Sequence, residues 1–368
     1  MELLEKNMNH ISVNTWNWLG VNETTLKTEF PVVQPYSKEP VKSKNSNEVT
    51  LADINSKKTE IQFLNKKIAA GVSTSMTNFV DNNHNNGYFI EIPADKKILE
   101  PIIIEYELDE KDSVLLDEHF ILAHANSEVT VVIYYSSADS HSGFHSGVTR
   151  VFAEQGASVQ VIKVQMLSDT TTHVDAVGAL AGDQAKVQFT LLELGASQAI
   201  SSCKTNLTGD DSQGVIRSLY FGDQQRILDI NYVATHQGRT SLSEIEARGV
   251  LMDHSQKIFR GTLDFIKGSS GSKGKEAEYT VLLDPTVRNR SVPLMLSGED
   301  DVDGHHAVSI GKIDENKLFY LMSRGISEVD AKKMTIEADF LPILETIPLP
   351  ELKNVVLTYI RRRLNRGE

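Results

Sequence analysis

The chain has a single cysteine, Cys203, among its 368 residues. One thiol excludes an intrachain disulfide and any metal site built from cysteines of this chain alone. Long apolar runs are also missing. The longest strongly apolar stretch, about Val131 to Tyr135, falls far short of the roughly 20 residues that a membrane-spanning helix needs, so no membrane partner is expected. The first residues, MELLEKNMNHISVNTWNWLG, have neither a basic start nor a continuous apolar block, and without a secretory signal a cytoplasmic protein is the expectation. Positive charge is scarce as well. A formal charge of -13 repels a phosphate backbone, and the compact basic cluster is confined to Arg361, Arg362 and Arg363 with Arg366, which argues against a nucleic-acid partner.

What the chain does have is enough apolar material, 40% of residues, to bury a sizeable core. Residues 24–67 are polar, with Pro31, Pro35 and Pro40 followed by KSKNSNE, and residues 1–86 are read as a loosely structured N-terminal region, partly helical or irregular. From Gly87 the character changes. Strand-like runs recur as VTVVIYY, ASVQVIKVQML, AKVQFTLLEL, RILDINYVATH, SEIEARGVLM and KIFRGTLDFI, several of them alternating strictly, as in Val187, Phe189 and Leu191 against Lys186, Gln188 and Thr190. Glycine-bearing turns near Gly156, Gly182, Gly209, Gly238 and Gly261 fall at a spacing of roughly 23 to 29 residues, the range of solenoid coils. Strands at that period without helices between them favour a β-helix over 87–313, with a β-sandwich as the rival.

Residues 314–368 read as helical. Asp314 caps a helix carrying Leu318, Phe319, Leu321 and Met322, which Gly325 ends in a left-handed conformation. Ser327 with Asp330 resembles a capping box, opening a helix whose Ala331, Met334, Ala338 and Leu341 share a face and which should stop before Pro342. A third helix starts near Pro350, with Leu352, Val355, Val356, Tyr359, Ile360 and Leu364 in a stripe and a basic last turn that suits the helix dipole. These faces must pack on the β region, on each other or on a partner.

Several stretches invite a chemical reading. GSSGSKGKE (268–276) lacks phosphate-loop spacing and is read as a flexible turn. Asp139, His141 and His145 in DSHSGFHSG are read as part of a solvated loop, and Cys203 as a small buried strand residue. The stretch EDDVDGHHAVSIG (299–311) pairs two histidines with acids. In an extended segment His305 and His306 point to opposite faces, so one imidazole with a carboxylate is the most this chain offers a metal, and a second protein or a neighbouring coil would have to complete the site; from the residues alone a structural turn is the favoured reading.

The blocks GYFIEIPADKKILEPI, HFILAHANSEVTVV, HQGRTSLSEIEARGVLMDHSQKIFRGTLDF and EDDVDGHHAVSIGKIDENKLFYLMSRGIS resemble the SufB/SufD family of iron-sulfur cluster assembly scaffold proteins, and the likeness is nearer the D member. The resemblance implies a right-handed parallel β-helix with helical ends, a SufB-like partner bound through the β-helix, and a SufC-like ATPase bound through the C-terminal helices. It implies a scaffold subunit in which ATP hydrolysis belongs to the SufC-like partner. Iron or an iron-sulfur cluster would be held transiently and shared with the partner, none of it stably by this chain alone; His306 stands at the family histidine and is the candidate iron ligand, with His305 a weaker one. Many D members carry a cysteine where this chain has Gly304 and a serine where it has His305, so the cysteine's task is dispensable here or passes to His305. The N-terminal part, with Trp16 and Trp18, departs from the family's longer helical N-terminus. A homodimer in the absence of partners, and the choice among iron, cluster and flavin, stay open. The alternative from another class is a stand-alone β-helix lyase or hydrolase acting on carbohydrate, using the acids near Asp300.

Overall fold

A computed structural model describes residues 3–29, 31–42, 48–65 and 67–365. Near the N-terminus β1 (Leu3–Met8) pairs antiparallel with β2 (Thr24–Glu29), followed by β3 (Thr50–Asp53), α1 (Lys58–Asn65) and α2 (Thr74–Asn83). Strands then alternate between two parallel sheets. One contains β4 (Asn86–Ile92), β6 (Val114–Ala123), β8 (Phe144–Ala153), β10 (Thr172–Ala181), β12 (Gln198–Leu207), β14 (Ile227–His236), β16 (Gln256–Phe265) and β18 (Arg288–Ser297), with β3 added antiparallel at one edge. The other contains β5 (Ile102–Leu108), β7 (Glu128–Ser137), β9 (Ser158–Met166), β11 (Lys186–Glu193), β13 (Gln213–Gly222), β15 (Leu242–Leu251), β17 (Lys273–Leu282) and β19 (Asp303–Gly311). Each coil is therefore two strands and two turns, the parallel solenoid expected from the strand period.

The coil length is not constant. Thr172 pairs with Gln198, 26 residues on, whereas Gln256 pairs with Arg288, 32 residues on. One corner is held by a column of left-handed residues, Asn126, Gly156, Gln184, Asp211, Thr240 and Gly271. Each donates its backbone N–H to a carbonyl of the next coil, as Gly156 does to Asp183 at 2.8 Å and Gly271 to Asp301 at 2.7 Å. Gly156 is one of these positions, but Gly261, expected in a turn, lies inside β16. A Cβ there would sit 2.8 Å from Cγ of Glu276, so glycine is kept for a side chain approaching across the interior rather than for a bend.

Inside the solenoid, equivalent residues stack coil upon coil, and Val131, Val161, Phe189, Ile216 and Ile245 form one such buried row. The outer faces are covered too. On the second sheet, Val164, Leu192, Leu219, Phe221 and Val250 meet Ile336, Phe340, Ile343, Leu344 and Ile360 of the C-terminal helices. This cover explains why Thr190, on the outward side of its strand, is buried, its hydroxyl 3.0 Å from that of Thr346. On the first sheet Met8, Leu26 and Met76 pack over Leu116, Val174 and Ile200. The N-terminal region has few regular elements yet is pinned at Asn9, whose Nδ2 donates to Asp229 at 2.6 Å, while Arg260 donates to the same carboxylate and to the Val21 carbonyl. Trp16 and Trp18 stay exposed.

The helical end has three helices, α3 (Glu315–Ser323), α4 (Glu328–Leu344) and α5 (Pro350–Leu364). Asp314 accepts from the Asn316 and Lys317 N–H groups, Gly325 has φ +88°, and the Ser327 hydroxyl accepts from Asp330, so the expected caps form. Two expectations differ. Helix α4 runs through Pro342, whose missing N–H falls opposite the exposed Ala338, where water can serve the carbonyl. Its buried residues are Ala331, Ile336, Phe340, Ile343 and Leu344, so of the expected face Ala331 is buried whereas Met334, Ala338 and Leu341 are exposed. Among the described residues no helix is long and apolar enough to cross a membrane. The C-terminal arginines are spent internally: Arg361 on Glu337, Arg362 on Asp139, and Arg363 on Asp169 and Asp223, while Arg366 lies outside the described residues.

Candidate metal centre

At one end of the solenoid, among the described residues, β18 pairs only with β16 and β19 only with β17, so each sheet finishes in an open edge. Strand β19 carries the two candidate histidines, both exposed. The extended backbone sends them to opposite faces, as the sequence indicates. His305 Nε2 lies 2.8 Å from Asp303 Oδ1 at the surface. His306 pairs in register with Glu276 of β17, which faces the interior, so the imidazole continues an interior row. That row is Val131, Val161, Phe189, Ile216, Ile245, Glu276 and His306: apolar through five coils, then acid and imidazole at the open end.

Glu276 is 1% exposed, and among the described residues neither of its carboxylate oxygens finds a hydrogen-bond partner. Burial, with the neighbouring Glu278 adding, pushes its carboxyl up to about 8. Glu278 is better held, with Lys257 and Tyr220 Oη both donating to its Oε1, Tyr220 at 2.9 Å. The space over Gly304 is taken by the Met295 thioether, 2.7 Å from where a Cβ would stand. Among the described residues no group of three or more His, Cys, Asp or Glu side chains is arranged to hold a metal ion.

The remaining sequence candidates separate. GSSGS forms the turn before β17 and the lysines open that strand, with no phosphate loop. Asp139 pairs with Arg362 at the surface, but His145 is not in a solvated loop: Phe144 already begins β8, and His145 is fully buried. Cys203 is buried in the interior, where desolvation raises its thiol well above the ordinary value and leaves it an unreactive packing residue. Near Asp300, Glu299 accepts the N–H of Gly268 and Asp301 accepts the Ser270 hydroxyl, so these acids stitch successive turns together.

Sequence reasoning did not find an interior polar line. His145 Nε2 meets Asp117 Oδ1 at 2.5 Å, and its Nδ1 lies 2.7 Å from Nδ1 of His173. Asp117 also approaches His119 at 3.1 Å, and His173 approaches Glu193 at 3.5 Å. Burial drives His173 well below the ordinary histidine range and Glu193 up to about 7. The signal in the sequence was the 28-residue separation of His145 and His173, which are register partners.

The family described as SUF system FeS cluster assembly, SufBD core domain, matches residues 106–339, well over half of the chain. The chain belongs to the SufBD family. It is similar to the iron-sulfur cluster assembly protein SufD of Bacillus subtilis, 28% identical over 282 residues, covering 76% of this chain and 64% of the relative. SufBD family proteins of Mycobacterium tuberculosis (25% over 267 residues, 72% of this chain and 30% of the relative) and Staphylococcus aureus (22% over 350 residues, 91% and 74%) match as well. The chain thus spans less than two thirds of the length of the Bacillus and Mycobacterium relatives. The SufBD core match includes β19 and both histidines, and nothing in these likenesses supports the carbohydrate-active alternative.

Proposed function

We propose that this chain is a SufD-like scaffold subunit of a SUF iron-sulfur assembly complex, contributing His306 to a site that a SufB-like partner completes. The observation that carries the reading is His306, exposed and without a partner among the described residues, on the last strand of an open-ended solenoid. An open edge offers unpaired N–H and C=O groups to a second sheet, and a neutral imidazole is a suitable iron ligand. Residues 87–313 then act as the scaffold, 314–368 as docking helices and 1–86 as a cover on the outer face. A SufC-like ATPase, which would hydrolyse ATP, docks on the surface where Phe319, Tyr320, Met334 and Leu341 lie exposed. Without partners, the same open edges would pair two copies. Iron and sulfide are cargo in this reading.

Co-expression with SufB-like and SufC-like proteins tests it, followed by anaerobic purification and iron and sulfide analysis. The expected result is a stable complex that His306→Ala leaves intact but without cluster. Normal cluster content in that variant removes the site assignment and leaves a purely positional subunit.

A further inference from the structure

Five apolar coils of one interior row end in a change of chemistry. After Ile245 the next residue is Glu276, and after that His306, on neighbouring parallel strands and on the same face. Residues in one such row are separated by the strand spacing of about 4.8 Å, within which a carboxylate and an imidazole can reach a common ion. An apolar residue at 276 would have continued the stack at no electrostatic cost. Instead a carboxyl is buried with both oxygens unpartnered, a rare condition in folded proteins. Gly261, across the interior, leaves the room that its side chain occupies.

We propose that Glu276 is a metal-binding residue: its carboxylate and the His306 imidazole form a two-ligand seat for a divalent first-row cation such as ferrous iron at the open end of the solenoid. The nitrogen and oxygen donors suit such an ion, and the exposed side of His306 leaves further positions for water or for a partner's groups. Glu278 lies two residues further along β17 and stands in register with Val308, not His306, and its Oε1 is held by Lys257 and Tyr220, so it is not counted in the seat. His305, on the other face with Asp303, stands outside the seat. The inference rests on the assignment of His306 as the metal-handling residue.

The test is anaerobic titration of the isolated full chain with Co(II), read by its visible absorption, and with Fe(II) by equilibrium dialysis. One equivalent is expected to bind. Glu276→Gln and His306→Ala should each weaken binding by at least about tenfold, while His305→Ala stays within about twofold. Gly261→Ala, which crowds Glu276 without removing its carboxyl group, should weaken binding as well, and the thermal unfolding of each variant shows whether it is folded. Wild-type affinity in folded Glu276→Gln, or no saturable binding by the wild type, overturns the proposal. Failure here is distinct from failure of the scaffold reading: Glu276→Gln binding cobalt normally while His306→Ala loses cluster in the complex sinks only the Glu276 assignment. Lost cobalt binding in both variants with normal cluster yield sinks the assembly role of His306 instead.

Discussion

Arg363, in the last turn of the last helix, donates from Nε and Nη2 to the two carboxylate oxygens of Asp223, at 2.6 and 2.7 Å, across 140 residues of sequence. The same guanidinium reaches Asp169, and Arg226 stands 3.1 Å from Asp223. Two arginines and two aspartates thus fasten the helical end to the solenoid wall, and Arg363 itself is 1% exposed. Replacing Arg363 by alanine leaves the buried Asp223 with Arg226 alone, and the loss of hydrogen bonds to a charged group costs roughly 1.5–3 kcal/mol. Urea unfolding should show that loss, and lysine should restore little of it, because a point charge does not reproduce the planar fork. A change below about 1 kcal/mol, the range of an exposed pair, would mean that the cluster does not fasten this end.

The surface of α3 and α4 gives a second prediction. Phe319 is 75% exposed and Tyr320 58%, and Tyr320 lines a groove together with Met334 of α4. Phe319→Asp and Tyr320→Asp should leave stability within about 0.5 kcal/mol, as surface substitutions do. Both should weaken binding of the SufC-like ATPase by at least about tenfold, as expected for aromatic anchors of an interface. Calorimetric titration with the purified ATPase decides it, and unchanged affinity would place the docking surface elsewhere.

Glu193 predicts a pH dependence. Unfolded, its carboxyl releases a proton near 4.5; folded, burial holds the proton up to about 7. The folded state therefore binds the extra proton between those values, and stability present at low pH is lost as pH rises through the window, by about 3 kcal/mol. Glu193→Gln removes the ionisation. The variant should exceed the wild type in urea midpoint at pH 8, with the gap closing by pH 4.5; a pH-independent gap contradicts it.

His236 predicts the opposite slope. Its ring stacks on Phe265 and bonds Ser241 and Ser243 at 2.7 and 2.8 Å, and burial pushes its pKa down to about 4. The unfolded chain takes up a proton below 6.5 and the folded chain only near 4, so stability falls by about 3 kcal/mol as pH drops through that window. His236→Gln is expected to be less stable than the wild type at pH 7.5 but to lose less between pH 7.5 and 4.5. Equal losses would show that another group governs the acid limb.

Much of the architecture was legible because it is periodic or local. The alternation of Val187, Phe189 and Leu191 located an interior face, and the caps at Asp314, Gly325 and Ser327 act within one turn of chain. Thr190 and α4 were harder for one reason: both lie where a second layer covers the sheet. A residue on the outward side of a strand becomes buried only when another element lies over it, and a helix with two apolar faces does not declare which one the sheet takes. Pro342 misled because the cost of a missing N–H depends on whether the freed carbonyl meets water.

The sequence by itself determined the alternation along each strand, the helix caps and the opposite directions of His305 and His306, since each depends on residues a few positions apart, whereas of the expected glycine turns only Gly156 falls among the left-handed corner residues. Only the tertiary structure decided that His145 meets His173 and that His306 follows Glu276 in one row. Those pairs are separated by 28 and 30 residues, in coils whose length varies between 26 and 32. A slip of one residue turns every side chain of a strand to the other face, so an uneven coil hides such neighbours until the register is known.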